Sequence, residues 1–280
     1  MRILVTGANG KLGARLARDL AAGAELQALG KRELDIRSLR EVRAACAAVR
    51  PDILVNAAAY TQVDRCEDDV DTAFGCNAVA VRNLTIGAGE VGARLIHFST
   101  DFVFDGARSG PPYIEYDLPK PRSVYGRSKL AGESEALGYS RAAVLRLAWV
   151  YGAGGWNFTD WIVEELSNER PVRILTDQVG TPTWVGDVSR QTAILIESGG
   201  EGLYHSSGEG ACSRYEWAIQ VAKLAGLDPD LILPIRSKEF PQKAPRPGYS
   251  VLENFCLKSQ DLNAMRPWEE ALQDHLDERA

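Results

Sequence analysis

The chain has 280 residues, 45% hydrophobic and 25% charged, and a mass of 30.6 kDa, the usage of a globular protein and not of a disordered or fibrous one. Its net charge of −6 argues against general nucleic-acid binding, which leaves a basic footprint. No apolar run approaches the ~20 residues needed to span a bilayer.

Taken in chain order, the first half alternates short apolar runs with helical patterns. Arg2–Thr6 reads as a strand and residues 12–22 as a helix with Leu12, Leu16 and Leu20 on one face. Glu25–Leu29 reads as the second strand, then a helix over 38–49 that Ser38 caps, with Glu41 three residues on. Pro51 breaks it, and 52–56 is a third strand. A helix over 71–91, a strand over 94–99, a helix over Val124–Leu137 and a strand over 143–149 complete the run. Repeated strand–helix–strand units predict an α/β fold, a Rossmann-like doubly wound parallel sheet.

After Tyr151 the pattern loosens. Residues 156–167, 185–197 and 214–225 read as helices, and 171–175 and 203–206 as strands. The expected division is a dinucleotide-binding unit over 1–151 that also receives 171–206, with 152–170 and 207–280 forming a small substrate-binding cap. Cys46, Cys66, Cys76, Cys212 and Cys256 form no CxxC pair and, with three scattered histidines, suggest neither a disulfide framework nor a metal site. Met1 and Arg2 lead directly into the first strand, leaving no room for a signal peptide. A reduced cytoplasmic chain is expected.

The turn after the first strand carries Gly7, Asn9, Gly10, Lys11, Leu12 and Gly13. Gly7 permits a tight turn, Gly10 lets a pyrophosphate approach the backbone, and Gly13 allows close contact of helix and sheet. Strand two ends in Leu29-Gly30-Lys31-Arg32, where an NAD site usually offers a carboxylate. The cations Lys31 and Arg32 suit a 2′-phosphate, while nearby Glu33 keeps NADH as an alternative to NADPH. Asp35 and Ile36 are placed to flank the adenine, and Ala57, Ala58 and Ala59 leave room beside the backbone.

Tyr125 and Lys129 stand four residues apart on one helical face. A nearby ammonium favours the phenolate and lowers the tyrosine's proton affinity towards the working range. Ser99 and Thr100 end strand four, where a hydroxyl can hydrogen-bond a carbonyl.

With these features on one chain, the sequence is similar to extended short-chain dehydrogenase/reductases, and among them to dTDP-4-dehydrorhamnose reductases. The matching stretches are 5–10, 56–64, 99–104, 124–133, 149–152, 177–183 and Arg246-Pro247. The resemblance implies that Tyr125 is the proton donor, Lys129 its electrostatic partner and nicotinamide-ribose ligand, Thr100 the carbonyl-orienting hydroxyl, and Asn77 a support for the lysine. It implies substrate contacts from Thr61, Val63, Ser99, Thr100, Asp101, Phe102, Trp149, Asn157 and Arg246. Trp149, at the end of a buried strand, also suits a core aromatic, with the substrate site favoured, and Thr61, Val63, Asn157 and Arg246 equally suit packing or surface loops. Tyr60 and Tyr151 are assigned to the core.

Phe102 stands where the family commonly has tyrosine, which removes one hydroxyl from the substrate site. Only Asp187 follows the Pro-Thr segment where some relatives carry a carboxylate pair, so no magnesium is expected. The implied reaction is NADPH-dependent reduction of the C4 ketone of dTDP-4-dehydro-β-L-rhamnose by a monomer or homodimer, with no nucleic-acid or membrane partner. The alternatives are another nucleotide-deoxysugar 4-ketoreductase, an epimerase, or a non-catalytic subunit resembling the regulatory β subunit of methionine adenosyltransferase.

Overall fold

The computed structural model describes residues 1–279. Six parallel strands form the central sheet: β1 (Arg2–Thr6), β2 (Glu25–Leu29), β3 (Ile53–Asn56), β4 (Arg94–Thr100), β5 (Ala142–Leu147) and β6 (Gly202–His205). Their spatial order is β6-β5-β4-β3-β1-β2. The covering helices are α1 (Lys11–Leu20), α2 (Leu39–Val49), α3 (Ala80–Val91), α4 (Val124–Leu137) and α5 (Val185–Ser198).

The strand sequences dictate this layering. Side chains alternate across a strand, so a central strand covered on both faces must be apolar throughout. Ile3, Val5, Ile53, Val55, Ile96 and Leu145 pack with Leu16, Leu20, Val188 and Leu195 of α1 and α5. The intervening Leu4, Leu54, Leu95 and Val144 pack with Val42, Cys46, Leu84 and Ala88 of α2 and α3. Because β1 lies between β2 and β3, the direction of winding reverses there. Loops leaving β1 and β3 diverge and open a crevice at the strands' carboxyl ends.

Four local features depart from the sequence expectations. Ser38 caps α2 by accepting from the Glu41 amide at 3.3 Å, but the Glu41 carboxylate takes the Asp35 amide instead; half of the capping box forms. The expected helix over 71–91 is Val70–Phe74, a π-helical turn Gly75–Val79, and α3. The expected strand over 143–149 ends at Leu147, because Trp149 adopts a left-handed φ of 43°. The segment expected to return to the sheet over 171–206 divides. α5 and β6 join the main unit, while Val172–Leu175 pairs with Ile232–Ile235 in a separate two-stranded sheet.

That small sheet belongs to a second core built from Ile162, Leu166, Ile174, Trp217, Val221 and Leu272. All five cysteines are free. Among the described residues, no helix is long and apolar enough to cross a membrane.

One buried ion pair ties α4 to the sheet. Arg146 of β5 donates through Nε and Nη2 to the two oxygens of Glu133, at 2.9 and 2.8 Å. Its Nη1 faces Nε2 of His205, 3.4 Å away. Burial, reinforced by the adjacent Arg146 charge, brings His205 down to about 3, so the imidazole is neutral at physiological pH. Removing one partner of a buried pair strands the other charge. Glu133→Ala is therefore expected to cost about 3–5 kcal/mol, read from the midpoint of denaturant unfolding. A loss below ~1 kcal/mol would show that the pair does not stabilise the fold.

Candidate active site

The turn from β1 into α1 is built for close approach. Gly7 has a φ of +73°, and a Cβ there would sit 2.5 Å from the Ala58 amide nitrogen. A Cβ on Gly13 would likewise collide with the Gly7 carbonyl. Gly10 occupies the N-cap of α1 and offers no capping side chain, so the first-turn amides remain available to an anion. This cradle fits a dinucleotide pyrophosphate.

A cavity of about 240 Å³ extends from the cradle and is lined by Gly7, Asn9, Gly10, Lys31, Asp35, Ile36, Ala57, Ala58 and Ala59 as expected. It is also lined by Arg37 and Cys76, which the sequence reading did not select, and by Tyr60, which it gave to the core. Arg32 does not line it. The cations that line this cavity are thus Lys31 and Arg37. Glu33 accepts from the Gly30 amide at 3.0 Å, and Asp35 is chelated by Arg37, which holds the Asp35 carboxyl below its ordinary range. Neither carboxylate is a free ribose ligand. Leu12 packs into the cores. Lys11 turns away from the cradle, donating to the Trp156 carbonyl at 2.7 Å.

Ser123 caps α4 by accepting from the Gly126 amide, which sets Tyr125 and Lys129 in the helix's first turns. Tyr125, Thr100 and Lys129 are all buried. Burial pushes the Tyr125 phenol above its ordinary range, against an opposing hydrogen-bond contribution from Thr100. The Lys129 ammonium donates to the Phe98 carbonyl of β4 at 2.5 Å. Burial lowers Lys129 to about 8, with Glu133 opposing.

Asn77 lies against the same helix. It sits in the π-helical turn and clamps Tyr60, accepting from its amide at 2.8 Å and donating to its carbonyl at 3.0 Å. Its other contact is Ser128 Oγ at 3.0 Å, whose hydroxyl donates to the Tyr125 carbonyl. The Asn77 side chain therefore braces the loop after β3 against α4; among the described residues it makes no hydrogen bond to Lys129.

A second cavity, of about 710 Å³, is lined by Thr61, Val63, Phe102, Trp149, Asn157 and Arg246, six of the expected substrate residues. Phe102 presents its ring to Tyr125 edge-on, with centroids 5.5 Å apart. Asn157 contributes little free polarity, since it caps the helix Phe158–Ser167 and donates to the Gly152 carbonyl and Asp160. Arg246 is gripped by both oxygens of Asp64 and by the Ala244 carbonyl, so the free cation expected there is paired.

Ser99, Thr100 and Asp101 do not line this cavity; they are buried beside it. Thr100 Oγ1 donates to Asp101 at 3.0 Å and accepts from the Phe102 amide at 3.2 Å. Burial raises Asp101 to about 6, despite the hydrogen bond from Thr100. Arg214, Gln178, Trp161 and Trp217 also line the cavity and were missed. Gln178 falls in the 177–183 stretch singled out by resemblance, and Ser213-x-x-Glu216 marks the start of Arg214's helix, but nothing local assigns either side chain to a site.

The reversal point of the sheet thus holds a phosphate cradle, and the neighbouring helix buries a phenol against Phe102, a wall of the next cavity. This combination places the protein among dinucleotide-dependent oxidoreductases of the short-chain dehydrogenase/reductase class. Within that class the chain belongs to the RmlD substrate binding domain family, whose model matches residues 1–280. It is 38% identical to the spore coat polysaccharide biosynthesis protein SpsK of Bacillus subtilis, over 100% of this chain and 98% of that protein. It is also 38% identical to a dTDP-4-dehydrorhamnose reductase of Mycolicibacterium smegmatis, over 98% of this chain and 84% of that one. The dTDP-4-dehydrorhamnose reductase of Bacillus anthracis, solved in complex with NADP, superposes with a TM-score of 0.96 at 34% identity, covering 99% of each chain.

Two expectations follow from the cofactor side. Lys31→Ala is expected to weaken NADPH binding about tenfold, the loss of one charge-assisted contact, with NADH affected little and Arg32→Ala close to wild type. Titration of both cofactors checks this, and equal losses for NADPH and NADH would refute it. Because Lys129 is brought down to about 8, its ammonium is present below that pH and lost above it. NADPH affinity should fall as pH rises through 8, and Lys129→Met should flatten that profile.

Proposed function

We propose that this protein is an NADPH-dependent reductase that converts the C4 ketone of dTDP-4-dehydro-β-L-rhamnose to the hydroxyl of dTDP-β-L-rhamnose. The observation that carries the reading is the position of Tyr125: a buried phenol whose ring meets Phe102, a wall of the larger cavity. The loop after β3 links the two cavities, since Ala57–Tyr60 line the smaller and Thr61 and Val63 the larger. A relative named dTDP-4-dehydrorhamnose reductase, matched over 98% of this chain and 84% of its own length, and a closely superposing reductase bound to NADP support the same reaction and cofactor.

When bound, NADPH supplies the hydride that reduces the ketone carbon. The protein's own part is to place and protonate the oxygen. With its proton affinity raised by burial, Tyr125 keeps its proton at neutral pH and releases it only to a stronger base. An alkoxide developing at C4 is such a base, so proton transfer from the Tyr125 oxygen is downhill. Thr100 supplies a second hydroxyl near the phenol, and its hydrogen bond to Asp101 fixes its direction. Phe102 presents an apolar surface that suits the 6-methyl group of a deoxysugar.

In this reading the sheet unit binds the cofactor, and the cap, drawn from 152–170 and 207–280 together with the strand Val172–Leu175, supplies much of the sugar site. The enzyme acts in the cytoplasm as a monomer or homodimer. Retention of Thr100, Tyr125 and Lys129 in one buried cluster supports catalysis over a purely regulatory role, and net consumption of cofactor separates reduction from epimerisation.

Oxidation of NADPH in the presence of the dTDP-linked 4-ketosugar, with the product identified by NMR as dTDP-β-L-rhamnose, tests the assignment. Tyr125→Phe is expected to lower kcat at least ~10²-fold while NADPH affinity stays within about twofold. A C4-epimeric product would overturn the substrate assignment, and near-normal turnover of Tyr125→Phe would overturn the proton donor.

A further inference from the structure

The larger cavity is lined by Lys11, Arg173, Arg214 and Arg246 and by no carboxylate, in a chain whose net charge is −6. Three of these cations are engaged within the protein. Lys11 donates to the Trp156 carbonyl, Arg173 lies 3.6 Å from Glu239, and Arg246 is held by Asp64. Arg214 differs. Among the described residues its guanidinium makes neither a hydrogen bond nor an ion pair; its recorded contacts are with aromatic rings.

Those rings fix it. The guanidinium carbon lies 3.6 Å from the Trp149 ring centroid, 5.4 Å from Trp217 and 5.5 Å from Phe158. Its backbone is set by the capping box of Ser213 and Glu216, and its amide donates to the Gln178 carbonyl at 3.2 Å. Trp149 is itself constrained. It holds a left-handed φ of 43°, and its indole lies so close to Gly180 that a Cβ there would collide with it. Non-glycine residues in that region carry strain, which persists where the surroundings enforce it.

We infer that Arg214 binds the diphosphate of the nucleotide-linked substrate, an inference that rests on reading this cavity as a nucleotide-sugar site. Stacking occupies the faces of the guanidinium and leaves its N–H edge for an acceptor; a planar fork of donors matches two phosphate oxygens. Burial brings Arg214 down to about 10, and a bound dianion offsets that desolvation. Trp156 and Phe240 also line the cavity and are 73% and 55% exposed, which gives a nucleobase aromatic surfaces to meet. Arg246, the cation that sequence singled out for this contact, is left to brace the loop after β3.

Calorimetric titration with dTDP and with inorganic pyrophosphate, and separately with NADPH, tests the inference on the full chain. Arg214→Gln is expected to weaken dTDP and pyrophosphate at least about tenfold while NADPH affinity is kept, since Arg214 does not line the cofactor cavity. With the ketosugar, KM should rise by a similar factor and kcat change far less. Should Arg214→Gln also lose NADPH binding, Arg214→Lys decides. It keeps the charge without the fork, so dTDP affinity should fall about threefold or more with NADPH binding intact. Wild-type protein that does not bind dTDP, or variants that bind it as tightly as wild type, would overturn the inference. Arg214-dependent dTDP binding without any ketosugar reduction would instead sink the reductase reading and leave the anion site standing.

Discussion

Helix α4 lies on its neighbours backbone to backbone at two glycines, and the arrangement of the site follows from that contact. A Cβ on Gly132 would collide with the carbonyl of Asn77 in the π-helical turn, and one on Gly126 with the carbonyl of Phe102. Side chains cannot separate the elements there, so the helix axis is held at a fixed depth against the end of β4. Tyr125 and Lys129 project from this seated helix. Glu133 then locks its far end to β5 through Arg146. The extra residue of the π turn bends the preceding helix, which carries Asn77 to Ser128 on one side and Tyr60 on the other. Such turns recur where a helix must depart from regular geometry for function.

Burial of the site sets its acid–base character more than any single neighbour does. Desolvation penalises whichever form is charged, so it raises Tyr125 and Asp101 and lowers Lys129. A tyrosine held in its neutral form is an acid suited to reduction, where a proton must be delivered as negative charge appears on oxygen. Lys129 is kept close to the neutral range and anchored to the Phe98 carbonyl. Its charge is therefore conditional on pH in a way that an exposed lysine's is not.

The two cavities divide the chemistry. The smaller one joins glycines and alanines at the reversal point of the sheet, which suit what every dinucleotide shares, to the cations Lys31 and Arg37, which suit a 2′-phosphate. The larger one is formed by aromatic and cationic side chains of the cap and loops, and suits discrimination of the second ligand. The segment after β3 runs through both, and Asp64 at its end grips Arg246 of the cap. That ion pair ties two segments far apart in the chain at the edge of the larger cavity.

The sequence by itself determined the layered α/β fold, the phosphate cradle and the candidate trio Thr100, Tyr125 and Lys129. These are written locally: apolar strands of four to seven residues, glycines three apart before a helix, and a Tyr and Lys one helical turn apart. What each polar side chain does was decided by tertiary structure. Arg32 and Arg37 are both exposed cations near β2, yet only Arg37 reaches the cavity, because the turn after Gly30 folds back on itself. Arg246 is neutralised by a residue 182 positions away. Among the described residues Arg214 makes no ion pair, and a tryptophan from a different segment covers its face. A charge's role depends on which partner the fold brings within hydrogen-bond range, and no local pattern records that distance.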